Sequence, residues 1–388
     1  MGLCGINFGS WLNPEGYILG GRNIAYHRIE QEFAAEYGKE ELDYLNYQFR
    51  KNYIKEEDFA RAAGWGLELI RIPFHYRLVE SSPYTINEFG MGVLEWALDT
   101  AAEYGLKVIL DLHAAPGSQS VDWHADSDGT AAFWDREDNR NRVCFLWNNI
   151  ASRFKDKPAL WGYDVLNEPA VYERPVELLL DFYRKAIVAV RTEDRDNKIF
   201  LQGSNWSQDI DLLEPLVEKN IGVSVHCYQP VEFAFNLRRG YSYPGIINGE
   251  LWDRKKIESY LSKYKSFADR TGAEIFVGEF GVNFRKNSCG ELDYLRDLVY
   301  AFNEIGVHWT YWTYKSVAQG SFPDGILQYE HNPSWICREG MLRGLETWQE
   351  QWKKNKQEII QSFSSEEFTI QHQLVEILQS NIFIDDRL

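Results

Sequence analysis

Two glutamates stand in settings that could do chemistry. Glu168 closes the run Trp161-Gly162-Tyr163-Asp164-Val165-Leu166-Asn167-Glu168 and is followed by Pro169. Glu279 follows Ile275-Phe276-Val277-Gly278 and precedes Phe280-Gly281. Each run has strand character and ends at the carboxylate, where proline or glycine breaks the pattern. A carboxylate at the C-terminal end of a parallel barrel strand sits on the face that carries the active site of such barrels. The two lie 111 positions apart, room for several βα units, so they could meet across one mouth. Two carboxyl groups roughly 5 Å apart suit retaining hydrolysis of a glycosidic bond, one protonating the leaving oxygen and one attacking the anomeric carbon.

Further polar residues fall at the ends of other apolar runs. Arg71 lies in Ile70-Arg71-Ile72-Pro73, His113 follows Leu110-Asp111-Leu112, and His226 and Tyr228 end Val225-His226-Cys227-Tyr228. Asn167 directly precedes Glu168, and Trp312 closes Trp309-Thr310-Tyr311. A single arginine or histidine in such a place is more often a structural ion pair. So many runs ending on one polar rim are harder to explain by packing.

Such a rim needs a parallel barrel to position it. Short apolar runs alternate with longer amphipathic ones, the pattern of βα units. Strands are expected at 4–8, 68–72, 108–112, 162–166, 199–201, 222–226, 274–277 and 308–311, and helices at 88–104, 176–191, 253–270, 292–305 and 341–360. Eight strands with intervening helices suggest a single-domain α/β fold, a (β/α)₈ TIM barrel over residues 1–360 with long βα loops. Residues 14–55 form a charged, partly helical insertion. Residues 114–136 form a loop expected over the mouth. Its Trp123, Phe133 and Trp134 either stack a second sugar ring or make a hydrophobic clasp. Residues 361–388 form a helical tail, expected to pack on the barrel flank. Asn205-Trp206-Ser207 matches a glycosylation acceptor, expected to be idle.

The net charge of −17 excludes a nucleic-acid partner, which calls for a basic stripe. Aromatic residues make up 15% of the chain, with 14 Trp; most are expected in the core and a few could stack on sugar rings. Five scattered cysteines form neither a disulfide framework nor a zinc site. His113, His124 and Asp126 lack the spacing of a metal site, so no metal and no cofactor are expected. The N-terminus carries no signal-peptide pattern and no stretch is apolar enough to span a membrane, so a cytoplasmic location is expected. Oligomeric state is left open.

The Asn167-Glu168-Pro169 and Gly278-Glu279-Phe280-Gly281 motifs, joined in order by Arg71, His113, His226, Tyr228 and Trp312, resemble the motif set of the clan A (β/α)₈ glycoside hydrolases. The match is closest to glycoside hydrolase family 5, the cellulase-like family, and runs from about Gly5 to Trp348. The resemblance implies Glu168 as general acid/base and Glu279 as nucleophile. It implies that Asn167 bonds the 2-hydroxyl of the sugar being cleaved. Arg71 and Tyr228 would hold the nucleophile, His113 and His226 would line the same subsite, and Trp312 would form its floor. Gly5–Leu12 with Glu15 in the sugar pocket, His113–Gln119 and Trp309–Lys315 resemble exo-β-1,3-glucanase-like members. The implied activity is exo-acting hydrolysis of β-glucan, oligosaccharide or β-glucoside substrates. Endo-glucanase, mannanase and glycosylceramidase-like activities share the machinery, and a silent sugar-binding barrel belongs to a different class. Beside Arg71, Glu279 should have a lowered pKa. Glu168, near a second carboxylate and partly desolvated, should be raised toward ~6–7.

Overall fold

The computed structural model describes residues 2–318, 320–329 and 345–379. Eight parallel strands close a barrel: β1 (Cys4–Asn7), β2 (Leu69–His75), β3 (Lys107–Ala114), β4 (Leu160–Asp164), β5 (Lys198–Gln202), β6 (Ile221–His226), β7 (Ile275–Phe280) and β8 (His308–Tyr311). Each pairs with its sequence neighbour, and β8 closes on β1 with Cys4 opposite Trp309. The strands are buried almost throughout, so they read as continuous apolar runs rather than alternating ones. All eight expected strands are present.

Helices α1 (Tyr26–Tyr37) and α2 (Lys39–Tyr53) fill the first insertion. They are followed by α3 (Glu56–Gly64), α4 (Glu88–Glu103), α5 (Glu137–Phe154), α6 (Glu177–Arg191), α7 (Arg254–Thr271), α8 (Glu291–Ile305), α9 (Leu345–Gln361) and α10 (His372–Gln379). In α6 the residues Leu179, Phe182, Tyr183, Ala186, Ile187 and Val190 are buried at three- and four-residue spacing, the apolar stripe that docks a helix on a barrel. Helix α5 was not expected. Its charged start, Glu137-Asp138-Asn139-Arg140, hides the stripe of Val143, Leu146, Trp147, Ile150 and Phe154 that it buries.

Helix α9 packs on the insertion: Trp352 Nε1 donates to Glu41 at 2.9 Å and meets Phe33 edge-on at 5.5 Å. The expected start of this helix, 341–344, lies outside the described residues. In the tail, Thr369–Ile370 adds an antiparallel strand to Leu327–Tyr329, and α10 buries Leu374, Val375, Ile377 and Leu378 beside α8. Residues 380–388 lie outside the described set. Among the described residues, no helix is long and apolar enough to cross a membrane. Cys4, Cys144, Cys227 and Cys289 are free thiols.

Several strand ends differ from expectation, and two of them matter most for the site. Strand β2 runs on through Pro73 to His75, which leaves Arg71 inside the barrel rather than at its rim. Strand β4 stops at Asp164, which puts Asn167 and Glu168 in the connection that follows. Glu168 has φ +43°, a turn conformation uncommon for a residue with a side chain. Its backbone N–H is held there by Gln202 Oε1 at 2.8 Å.

Candidate active site

The barrel interior is layered because alternate residues of each strand point inward. Leu69, Ile109, Phe200 and Phe276 make the lower apolar plug. Two residues further along, the same strands present Arg71, Asp111, Gln202 and Gly278. Gly278 is required by space: a Cβ there would lie 2.8 Å from Ser224 Oγ and 3.3 Å from His226 Nε2.

Arg71 is fully buried and is the hub of this layer. Its Nη1 donates to Glu279 Oε1 at 2.8 Å and to Asn7 Oδ1 at 3.1 Å. Its Nη2 donates to Asn167 Oδ1 at 2.8 Å and lies 3.0 Å from Asp111 Oδ2, while Nε donates to Asp164 Oδ2 at 3.1 Å. Burial works against the Arg71 charge, but Asp111, Asp164 and Glu279 outweigh it and push its pKa up. Asp164, buried and close to Asp111, is raised to about 6 despite Arg71. Asn7, Asp111, Asp164 and Gln202 were not among the expected site residues. Their signal was present: Asn7, Asp111 and Asp164 each interrupt an apolar run buried on both faces, and Gln202 directly follows one.

Glu279 and Glu168 stand in unlike surroundings. Glu279 accepts from Arg71 through Oε1 and from the Tyr228 hydroxyl through Oε2 at 2.8 Å. Glu168 Oε1 is 2.6 Å from His226 Nδ1, and Oε2 lies 3.2 Å from His124 Nε2. His226 Nδ1 is also 3.5 Å from Glu279 Oε2. One ligand atom each from Glu168, His226 and Glu279 falls within a 4.8 Å span. That matches the close carboxyl spacing of retaining enzymes and not the roughly 6.5–9.5 Å of inverting ones.

The expected upward shift of Glu168 is overturned. Burial alone pushes it up, but the His226 and His124 rings outweigh burial and hold it down to about 2. Two imidazoles face its oxygens, and the second carboxylate shares His226 Nδ1 with it. His113 moves the other way. Burial lowers it, and Asp111 at 2.7 Å with Glu15 at 3.5 Å raise it to about 10.

A cavity of about 410 Å³ opens over the carboxylates. Of the expected site residues, Glu15, His113, Glu168, His226, Tyr228, Glu279 and Trp312 line it. Arg71 and Asn167 do not; they support its wall from behind. Trp312 stacks on His113 with ring centroids 5.4 Å apart and planes 7° apart, and its Nε1 donates to the Tyr17 hydroxyl. The Glu15 backbone N–H donates to Ser10 Oγ at 2.9 Å, and its buried Oε1 lies 3.5 Å from His113 Nε2.

The 114–136 loop divides its aromatics between a clasp and the cavity wall. Phe133 and Trp134 are buried against each other and Phe182, and Trp134 Nε1 donates to Gln119 O: these form the clasp. Asp122, Trp123 and His124 line the cavity. Trp123 meets Phe322 edge-on at 5.5 Å, and Asp122 accepts from Trp206 Nε1 at 2.7 Å. The loop therefore bridges the mouth from β3 to the segments beyond β5 and β8. Asn205 and Trp206 of the glycosylation-type motif also line the cavity and have φ of +58° and +53°.

A closed eight-stranded α/β barrel with two carboxylates facing one cavity defines a barrel glycosidase. The chain belongs to glycosyl hydrolase family 5: the cellulase profile of that family matches residues 32–317. It is a clan A retaining glycoside hydrolase. The chain is 28% identical over 332 residues to a β-xylosidase of Phanerodontia chrysosporium, covering 81% of this chain and 67% of that protein. It is 30% identical over 199 residues to a glucan 1,3-β-glucosidase of Pichia angusta, covering 49% and 45%. Among solved structures, endoglucanase Cel5A from Thermotoga maritima shares the fold with TM-score 0.60 and 21% identity, covering 83% of this chain and 91% of that one.

Proposed function

We propose that this protein removes glucose from the end of β-linked chains, with β-1,3 linkage preferred, by double displacement at Glu279 and Glu168. The observation that carries this reading is the asymmetry of the close carboxylate pair. Glu279, aimed by Arg71 and the Tyr228 hydroxyl, is the nucleophile. Glu168, between two imidazoles, is the acid/base. Glu279 attacks the anomeric carbon, the glycosidic C–O bond breaks, and the leaving oxygen takes a proton from Glu168. Glu168 then takes a proton from water, the water oxygen attacks the same carbon, and the ester bond to Glu279 breaks. Two inversions leave the anomer retained.

The acid step needs a proton on Glu168, which His226 and His124 hold ionised in the free enzyme. A sugar filling the cavity excludes water and strengthens the burial that favours a proton on Glu168. The loop bridge through Trp123 and Trp206 encloses the mouth, which supports end-on attack. The Pichia angusta relative supports the β-1,3 preference, and the β-xylosidase relative makes a xyloside the first alternative.

The deciding experiment follows purified enzyme by proton NMR on laminari-, cello-, manno- and xylo-oligosaccharides and a glucosyl lipid. Release of β-glucose from one end of the β-1,3 chain is the expected result. Turnover of another substrate alone moves the sugar assignment, and first-formed α-glucose sinks the double displacement. His226→Gln should move the acidic limb of the kcat profile to higher pH. Removing the imidazole leaves burial to raise Glu168 from about 2, so the base step loses its ionised carboxylate earlier as pH falls. An unmoved limb counts against the paired role. Trp312→Ala should raise KM roughly tenfold, about 1.5 kcal/mol of lost stacking; unchanged kinetics would make it a packing residue.

A further inference from the structure

We propose that His124 hydrogen-bonds the departing sugar, so that the leaving-group side of the cavity is built for a hydroxylated ring rather than for a lipid or aryl group. The inference rests on the assignment of Glu168 as acid/base and adds a residue and a leaving-group class to it.

Four observations lead there. First, Glu168 Oε1 is occupied by His226 Nδ1 at 2.6 Å, so Oε2 is the oxygen left to meet the glycosidic oxygen. His124 Nε2 is 3.2 Å from that same Oε2, beside the place where the leaving oxygen must stand. Second, His124 Nε2 is buried and makes no aligned hydrogen bond. Buried polar atoms are seldom left without an aligned hydrogen bond, and this one, off-line from Glu168 Oε2, faces the cavity where a sugar hydroxyl can accept from it. Third, the neighbouring Trp123 Nε1 is buried and unpaired as well, and both side chains line the cavity. An alkyl chain would leave both groups without partners, at a cost for each; a sugar ring offers hydroxyls to them.

Fourth, His124 is held in place by built contacts. Asn13 Nδ2 donates to His124 O at 3.1 Å. Two residues on, Asp126 adopts a left-handed conformation, φ +56°. It accepts from the His27 backbone N–H at 2.9 Å and from Arg77 Nη2 at 3.1 Å, and it lies 2.9 Å from His75 Nε2. Arg77 N–H donates to His75 Nδ1, so His75 presents its Nε2 proton to Asp126. The first insertion and the end of β2 thus fix the turn that carries His124. This gives residues 14–55 a function: they position a leaving-group residue supplied by the 114–136 loop.

Three β-glucosides test this in the full-length enzyme. One is the oligosaccharide that the wild type cleaves, whose leaving sugar needs both acid help and recognition. Octyl β-glucoside needs acid help but has no leaving-group hydroxyls. A 2,4-dinitrophenyl β-glucoside needs neither. His124→Ala should lower kcat/KM on the oligosaccharide roughly 10–100-fold more than on octyl β-glucoside, because any change in Glu168 is shared by both acid-dependent substrates and only the oligosaccharide also loses a hydroxyl contact. His124→Gln, which keeps a donor, should restore part of the oligosaccharide activity alone. Equal loss on oligosaccharide and octyl glucoside, proportional loss on all three, or no loss on any overturns the proposal. Failure of the underlying assignment looks different: Glu168→Ala would then fail to spare the dinitrophenyl substrate over the other two.

Discussion

Replacing Glu279 by alanine is expected to lower kcat/KM on the oligosaccharide roughly 10⁴–10⁶-fold, because the covalent route disappears and nothing else in the cavity can form the ester. Added azide should restore turnover of an activated β-glucoside and yield α-glucosyl azide, since the small anion enters from the face that Glu279 occupied. Glu168→Ala should give the other anomer. The glycosyl-enzyme still forms from an activated substrate, azide then attacks it, and β-glucosyl azide results. The pair of product anomers assigns both roles in one NMR experiment. Exchanged anomers would reverse the assignment, and unchanged activity in Glu279→Ala would remove the enzymatic mechanism altogether. The Tm of Glu279→Ala should not fall. Glu279 is one of three carboxylates crowded on Arg71, so its loss relieves repulsion, as is common where a site trades stability for activity.

Arg71→Met is expected to have the largest effect on stability. The guanidinium is fully buried and is the cation shared by Asp111, Asp164 and Glu279. Removing one member of such a cluster leaves uncompensated buried charge, a loss of about 3–5 kcal/mol. In a chain of this size that corresponds to a Tm drop on the order of 4–6 °C. The pH dependence follows from Asp164. Burial first, and then the Asp111 charge, raise it to about 6 in the folded protein against an ordinary 3.8. A carboxyl raised on folding binds its proton more tightly in the folded state. Its contribution is therefore complete below 3.8 and is lost as pH rises through about 6. Without Arg71 the shift grows, so the variant should be hurt most above pH 6 and approach wild type as pH falls. Thermal scans from pH 4 to 8 measure this. A Tm deficit independent of pH would mean that Arg71 acts through packing rather than charge. The variant should also lose activity, since Glu279 and Asn167 are both oriented by Arg71.

Much of the barrel was legible in the sequence because its strands are continuous apolar runs, and a period-free run of four to eight residues between amphipathic segments has few other readings. The motif glutamates were legible for a related reason: charge at the end of such a run has to face the mouth. Helix α5 was missed where a charged first turn masked its stripe. Asn7, Asp111 and Asp164 were missed because they lie inside runs rather than at their ends, although burial on both faces makes any polar interruption a residue pointing into the barrel.

The sequence by itself determined the fold class and the two carboxylates that come to line one cavity, since both follow from local pattern: which residues are apolar, and where the pattern breaks. Only the tertiary structure decided how those carboxylates are tuned. Glu168 owes its lowered pKa to His226, which arrives from a strand 58 residues away, and to His124, carried on a loop that Asn13 and His27 hold from the first insertion. Electrostatic interactions of this kind act over a few ångströms of space and ignore chain separation, so no spacing rule along the sequence could have disclosed them.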